Sequence, residues 1–263
     1  MSSQLVEGIL IRYRLQGPQS ASPPLVFVHG AAGGQYVWLE QASDLAQDNR
    51  VLLYDLAGHG ASESMPGPAD VPSHARMLAG LLEALGLPPA VVVGHSMGGA
   101  IAMSLALLAP ERVTGLVLVA TGARLPVSPA VFEAIGAGLE AFGALLGMTA
   151  YSPSTPRELV ARFTGAPIQA AEEVVRADFE ACQTFDLRER LGEIAAPCLV
   201  LGGEKDALVG AGRLNQLAAG LPRARLQWIP EAGHMLMQEA PLAVNQAIRA
   251  FFSELREPAR ADG

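Results

Sequence analysis

The sequence predicts an α/β fold, a mostly parallel sheet with helices on both faces, interrupted once by a helical insertion. Three observations carry that expectation. Short, continuous apolar runs end in glycine-rich turns, as strands covered on both faces do. Between them, apolar residues recur three and four apart, the period of an amphipathic helix. The alternation then lapses for roughly seventy residues before it resumes. Strands alternating with helices imply a parallel sheet.

The elements follow in order. Gly8-Ile9-Leu10-Ile11-Arg12-Tyr13-Arg14 has a period-two tendency that suits an antiparallel edge strand. After a Pro/Ser/Gly stretch, Leu25-Val26-Phe27-Val28 runs into His29-Gly30, and residues 51–56 run into Ala57-Gly58-His59-Gly60. Residues 73–86 read as a helix on Met77, Leu78, Leu81, Leu82 and Leu85. Residues 90–94 form the next strand, 97–109 a helix and 113–120 a further strand. From 123 to 194 no buried-strand pattern occurs; helices are expected over 131–146, 156–164 and 168–185, with prolines between them. The alternation resumes with a strand at 197–203, a helix near 213–219, a strand at 226–230 and a closing helix at 242–255. Residues 257–263 are expected to fray. The chain thus reads as a core of residues 1–122 and 195–263 that carries a helical insertion, 123–194.

Half of the 263 residues are hydrophobic and 17% are charged, enough for a large core and too apolar for disorder. The net charge of −8, with scattered basic residues, argues against a nucleic-acid surface. Cys182 and Cys198 lack metal-ligand spacing and are expected to be buried thiols in a reducing compartment. The N-terminus shows no secretion signal. Residues 84–110 hold no Asp, Glu, Lys or Arg and could pass for a membrane span. Gly94, Gly98 and Gly99, set around polar His95 and Ser96, fit a buried strand, a turn and a buried helix better. A cytoplasmic protein without metal or cofactor is expected.

The chemistry centres on Gly94-His95-Ser96-Met97-Gly98, which fits G-x-S-x-G. The string alone is common, but here it lies between an all-apolar strand and a helix, where a nucleophile elbow belongs. A serine hydroxyl needs a base to take its proton. Of the five histidines, His95 adjoins Ser96 and should point away from it. His29 and His59 sit in glycine turns and suit backbone-bonding roles, while His74, at a helix start, is expected to be solvated. His234, directly after the last strand, is the candidate base. The acid should fall between serine and histidine in chain order. Asp206 in Gly203-Glu204-Lys205-Asp206 is the candidate, with Glu204 as its rival.

These segments resemble the α/β-hydrolase superfamily, in particular its small lidded members, which include carboxylesterases, lactonases and carbon–carbon bond hydrolases. The resemblance rests on His29-Gly30-Ala31-Ala32-Gly33-Gly34, on Tyr54 to Ser62, on Gly94 to Gly98, on Gly203 to Asp206 and on Gly233-His234. It implies a helical cap inserted after the sixth strand and backbone N–H donors to an oxyanion from Ala31 and Met97. It also implies a structural, not catalytic, His59. Ser96 departs from the aspartate nucleophile of haloalkane dehalogenases and epoxide hydrolases. The expected function is hydrolysis of carboxylic esters with a small or medium apolar acyl group. A lactonase, a carbon–carbon hydrolase or a cofactor-free perhydrolase would use the same residues, and a ligand-binding protein on this scaffold is the non-enzymatic alternative. Phe132, Ile135, Leu139, Phe142, Leu145, Met148 and Phe163 are expected to pack as the insertion's own core.

Overall fold

A computed structural model describes residues 1–21, 23–62 and 68–256; the 257–263 tail lies outside the described residues. Ser2–Val6 (β1) and Ile9–Gln16 (β2) form an antiparallel hairpin, joined by Glu7 and Gly8 at positive φ. The buried runs become Leu25–Val28 (β3), Val51–Tyr54 (β4), Ala90–His95 (β5), Val113–Val119 (β6) and Cys198–Gly203 (β7), followed by Ala224–Ile229 (β8). Among the described residues these strands make one sheet, ordered β1-β2-β4-β3-β5-β6-β7-β8. Pairing is antiparallel from β1 through β2 to β4 and parallel from there onward. The period-two segment is therefore antiparallel, as expected, but second from the edge. The edge is β1, whose Ser-Ser-Gln start hides its strand character.

The connecting helices are Leu39–Leu45 (α1), Val71–Ala84 (α2), Met97–Leu108 (α3), Pro129–Gly136 (α4), Leu139–Thr149 (α5), Arg157–Thr164 (α6), Glu172–Thr184 (α7), Gly210–Gly220 (α8), Leu236–Glu239 (α9) and Pro241–Arg256 (α10). Alternate strand residues divide the core in two. Val26, Val28, Val92, Leu118 and Val200 pack under α2, α3 and α8. Leu25, Phe27, Val93, Val117 and Leu201 pack under α1 and α10. The uncharged stretch 84–110 is β5, a turn and α3; among the described residues no helix is long and apolar enough to cross a membrane.

Four α-helices, α4 to α7, lie between β6 and β7. The single helix expected over 131–146 is two, broken where Gly138 takes φ 109°. The helix expected from 168 starts at Glu172, because the preceding backbone is spent elsewhere. Ala170 bridges His59, and Gln169 accepts a hydrogen bond from Gly60 N–H. His74 is not solvated. It lies on the buried face of α2 beside Ala75 and Leu78, and burial lowers its pKa to about 4. Cys182 and Cys198 are buried free thiols.

Candidate active site

The G-x-S-x-G segment folds as a tight turn between β5 and α3. Ser96 joins β5 to α3 at φ 52° and ψ −118°, a left-handed conformation that costs a non-glycine residue on the order of 1–3 kcal/mol. The glycines on either side explain why it persists. A Cβ on Gly94 would lie 2.2 Å from Gly98 O, and one on Gly98 would lie 2.3 Å from Val28 O. Strand and helix can approach this closely only without side chains. Ser96 N–H donates to Val119 O at 2.9 Å, and Thr121 Oγ1 donates to Ser96 O at 2.7 Å, so the strained backbone is bonded on both sides.

The turn after β8 brings His234 to the same end of the sheet. Its Nδ1 lies 3.1 Å from Asp206 Oδ2, and both side chains are buried. Asp206 Oδ1 accepts the N–H groups of Leu208 and Val209 at 2.8 and 3.0 Å. Burial alone would raise the Asp206 carboxyl, but the neighbouring imidazole and those hydrogen bonds outweigh it and hold its pKa below the usual carboxylate value. Glu204 is exposed, so it is Asp206 that meets His234. Three groups fix the backbone of Gly233 and His234. His234 N–H donates to Ala150 O, His95 Nε2 donates to His234 O, and Glu239 Oε1 accepts Gly233 N–H. His95 thus turns away from Ser96, as expected, and supports the loop of His234 instead.

Ser96 and His234 open on one cavity of about 1230 Å³, with Ala31 on its wall. Met97 starts α3 with its side chain fully buried, so only its backbone could act on a ligand. The helices between β6 and β7 line much of the cavity, and here the apolar residues divide. Ile135 and Phe142 form the expected small core with Val175. Leu139 packs against that core and also reaches the cavity wall, Leu145 and Phe163 line the cavity instead, and Met148 is 81% exposed. Periodicity shows that a residue faces inward, not whether a void lies there.

His29 and His59 are bonded to backbone. Leu56 N–H donates to His29 Nε2, and His29 Nδ1 donates to Gly30 O. Burial lowers His29 to about 4. Sequence reasoning passed over Asp178 of α7, a buried carboxylate 2.8 Å from His59 Nε2. Its signal was present: Val175, Asp178 and Cys182 share the buried stripe of α7, and an acid on such a stripe needs a partner. Among the described residues no three His, Cys, Asp or Glu side chains gather as metal ligands would.

A family model described as alpha/beta hydrolase fold matches residues 23–241. A protein provisionally named carbamate hydrolase RutD, from Azorhizobium caulinodans, is 33% identical over 259 residues, covering 92% of this chain and 95% of its own. A thermophilic esterase from Thermogutta terrifontis superposes with a TM-score of 0.87 at 27% identity, over 97% of this chain and 99% of that one. The enol-lactonase from Burkholderia xenovorans LB400 does so at 0.89 and 25% identity, over 96% and 100%.

Proposed function

Since this chain belongs to the alpha/beta hydrolase family, we propose that it is a serine hydrolase that cleaves carboxylic esters through an acyl-enzyme, with residues 123–194 as its cap. One observation carries the reading: Ser96, strained at the head of α3, shares a cavity with a His234 whose Nδ1 is already engaged by a buried, ionised Asp206. With Nδ1 occupied, Nε2 is the ring atom free to act as base.

Ser96 Oγ adds to the acyl carbon while His234 Nε2 takes its proton. The carbonyl oxygen becomes an oxyanion facing the N–H groups of Ala31 and Met97. Collapse expels the alcohol, protonated by His234, and leaves the acyl group on Ser96. Water then repeats the addition, with His234 as base again, and releases the acid. Asp206 fixes the imidazole tautomer and stabilises the cation formed in each half. The apolar wall of Leu139, Leu145 and Phe163 favours an apolar acyl chain, and the relatives named esterase and lactonase support acyl–oxygen cleavage.

A panel of p-nitrophenyl esters, aliphatic lactones, thioesters, an N-aryl carbamate and a vinylogous diketone, compared by kcat/KM, tests the reading. Esters of four to eight carbons should rank first. A fluorophosphonate should label the wild type and not Ser96→Ala. Lack of labelling together with lack of turnover on every arm would overturn it. A lactone ranking first would keep the residues and replace the substrate.

A further inference from the structure

We propose that Asp178, on helix α7 of the insertion, is a positioning residue that sets the oxyanion loop of the core; this rests on the serine-hydrolase reading above. The residue after the candidate donor Ala31 is Ala32, which is not glycine and yet takes φ 55°. Something must hold it there. Ala32 N–H donates to Asp178 Oδ2 at 2.8 Å, a charge-assisted bond that reaches this loop from the insertion. Its methyl group is buried with Ile135, Phe142 and Val175, which all belong to the insertion. One loop residue of the core is therefore gripped, by backbone and by side chain, by the insertion.

The same oxygen of Asp178 also meets His59 Nε2 at 2.8 Å, and His59 Nδ1 donates to Ala57 O. Around this pair the glycine turn of the core fits against α7. Gly58, at φ 81°, would put a Cβ 2.9 Å from Val174, and Gly60 N–H donates to Gln169 O. Asp178 is only 2% exposed, so its charge has no solvent to fall back on and stays on these two donors. The His59 turn holds Asp178, Asp178 holds the Ala31–Ala32 peptide through Ala32 N–H, and that constrains the adjoining Gly30–Ala31 peptide, which carries the Ala31 N–H. A displacement of about 1 Å at such a donor can cost on the order of 10²-fold in rate.

The experiment reads catalysis and loop geometry separately. In Asp178→Ala, kcat should fall on the order of 10-fold to 10²-fold, with KM within about threefold. Affinity for a trifluoromethyl ketone, which forms a hemiketal oxyanion on Ser96, should fall in step with kcat/KM. Amide exchange over residues 29–36 should speed up at the same time. Asp178→Asn keeps an acceptor oxygen and should restore most of the rate. Asp178→Glu keeps the charge but moves the acceptor by one methylene, so it should be slow while folded, and it carries the test if Asp178→Ala does not fold. Glu180→Ala, on the exposed face of α7, is the control. Unchanged exchange at 29–36 overturns the tie whatever the activity does. Faster exchange with unchanged kcat, or ketone and substrate affinities falling equally, overturns the positioning role. If wild-type protein turns over no ester and captures no ketone, the serine-hydrolase reading fails instead, and the exchange result alone then decides the tie.

Discussion

The sheet that carries Ser96 and the inserted helices that line the cavity beside it are built to different tolerances. In α3, ten of twelve residues are buried and backbone touches backbone through Gly94 and Gly98, so the turn at Ser96 has no slack. In the insertion, α4 and α5 bury one residue each and α6 buries none. Its α7 is the exception, burying Ala181 and Cys182 in the main hydrophobic cluster, and polar ties add to that hold: Asp178 to Ala32 and His59, Ala150 O to His234 N–H, and Glu239 to Ser152 N–H. The difference teaches where sensitivity should lie. Changes in the core should abolish chemistry, changes in the cavity wall should redistribute substrates, and changes at the ties should do something between.

The largest effects should come from the core residues assigned to chemistry. Ser96→Ala should lower kcat on the order of 10⁴-fold or more with the melting temperature unchanged; activity within tenfold of wild type would remove Ser96 from the mechanism. Asp206→Asn should cost on the order of 10³-fold to 10⁴-fold, whereas Glu204→Gln, exposed in the same turn, should be nearly silent. Equal losses from the two would mean that the turn, not the carboxylate, matters. Next comes the oxyanion loop. Ala31→Pro removes one N–H donor and should cost on the order of 10²-fold, which steady-state kinetics on a folded variant checks. Met97→Ala keeps its backbone donor and should stay far more active than Ser96→Ala. Because Met97 is fully buried, its loss should destabilise by roughly 2–5 kcal/mol, seen as a lower urea midpoint.

The contrast also explains what could be read from sequence. Parallel strands buried on both faces announce themselves as unbroken apolar runs, so β3 to β7 were legible, and with them the turns that carry Ser96, Asp206 and His234. Strand β1 was not, because an edge strand needs only one apolar face and Ser2-Ser3-Gln4 offers none. In the insertion, helical periodicity was visible, but an inward-facing leucine reads alike over a core and over a void. Leu145 and Phe142 differ only in what lies beneath them. His74 misled for the opposite reason: its place near a helix start gives no sign that it stands on the buried face of α2.

The cavity wall should give a smaller and differently shaped effect. Leu145 lines the cavity and belongs to none of the buried core clusters. Leu145→Ala should therefore leave acetate turnover close to wild type and shift kcat/KM toward longer acyl chains by about tenfold or less. A uniform loss across chain lengths would instead make Leu145 part of the machinery.

The smallest effect is a slope, and it tests whether the insertion stabilises the core in acid. Burial lowers His29 and His74 to about 4, and His95 well below its ordinary value of 6.5. As pH falls from 6.5 to 4 the unfolded chain takes up protons there that the folded chain refuses, so stability drops. His59 runs the other way. Burial pulls it down, but the charge of Asp178 and the hydrogen bond to it outweigh burial and leave its pKa raised. Its contribution is fully present below 6.5 and is lost as pH rises through the raised value. One carboxylate of the insertion thus offsets about one histidine of the core. Asp178→Asn removes the charge, so its stability should fall more steeply than wild type between pH 6.5 and 4. The added slope is bounded by one proton, about 1.4 kcal/mol per pH unit. Urea midpoints at pH 7, 6, 5 and 4 measure it. Parallel curves for the two proteins would mean that His59 stays neutral in both, and that insertion and core are joined there by a hydrogen bond and not by an ion pair.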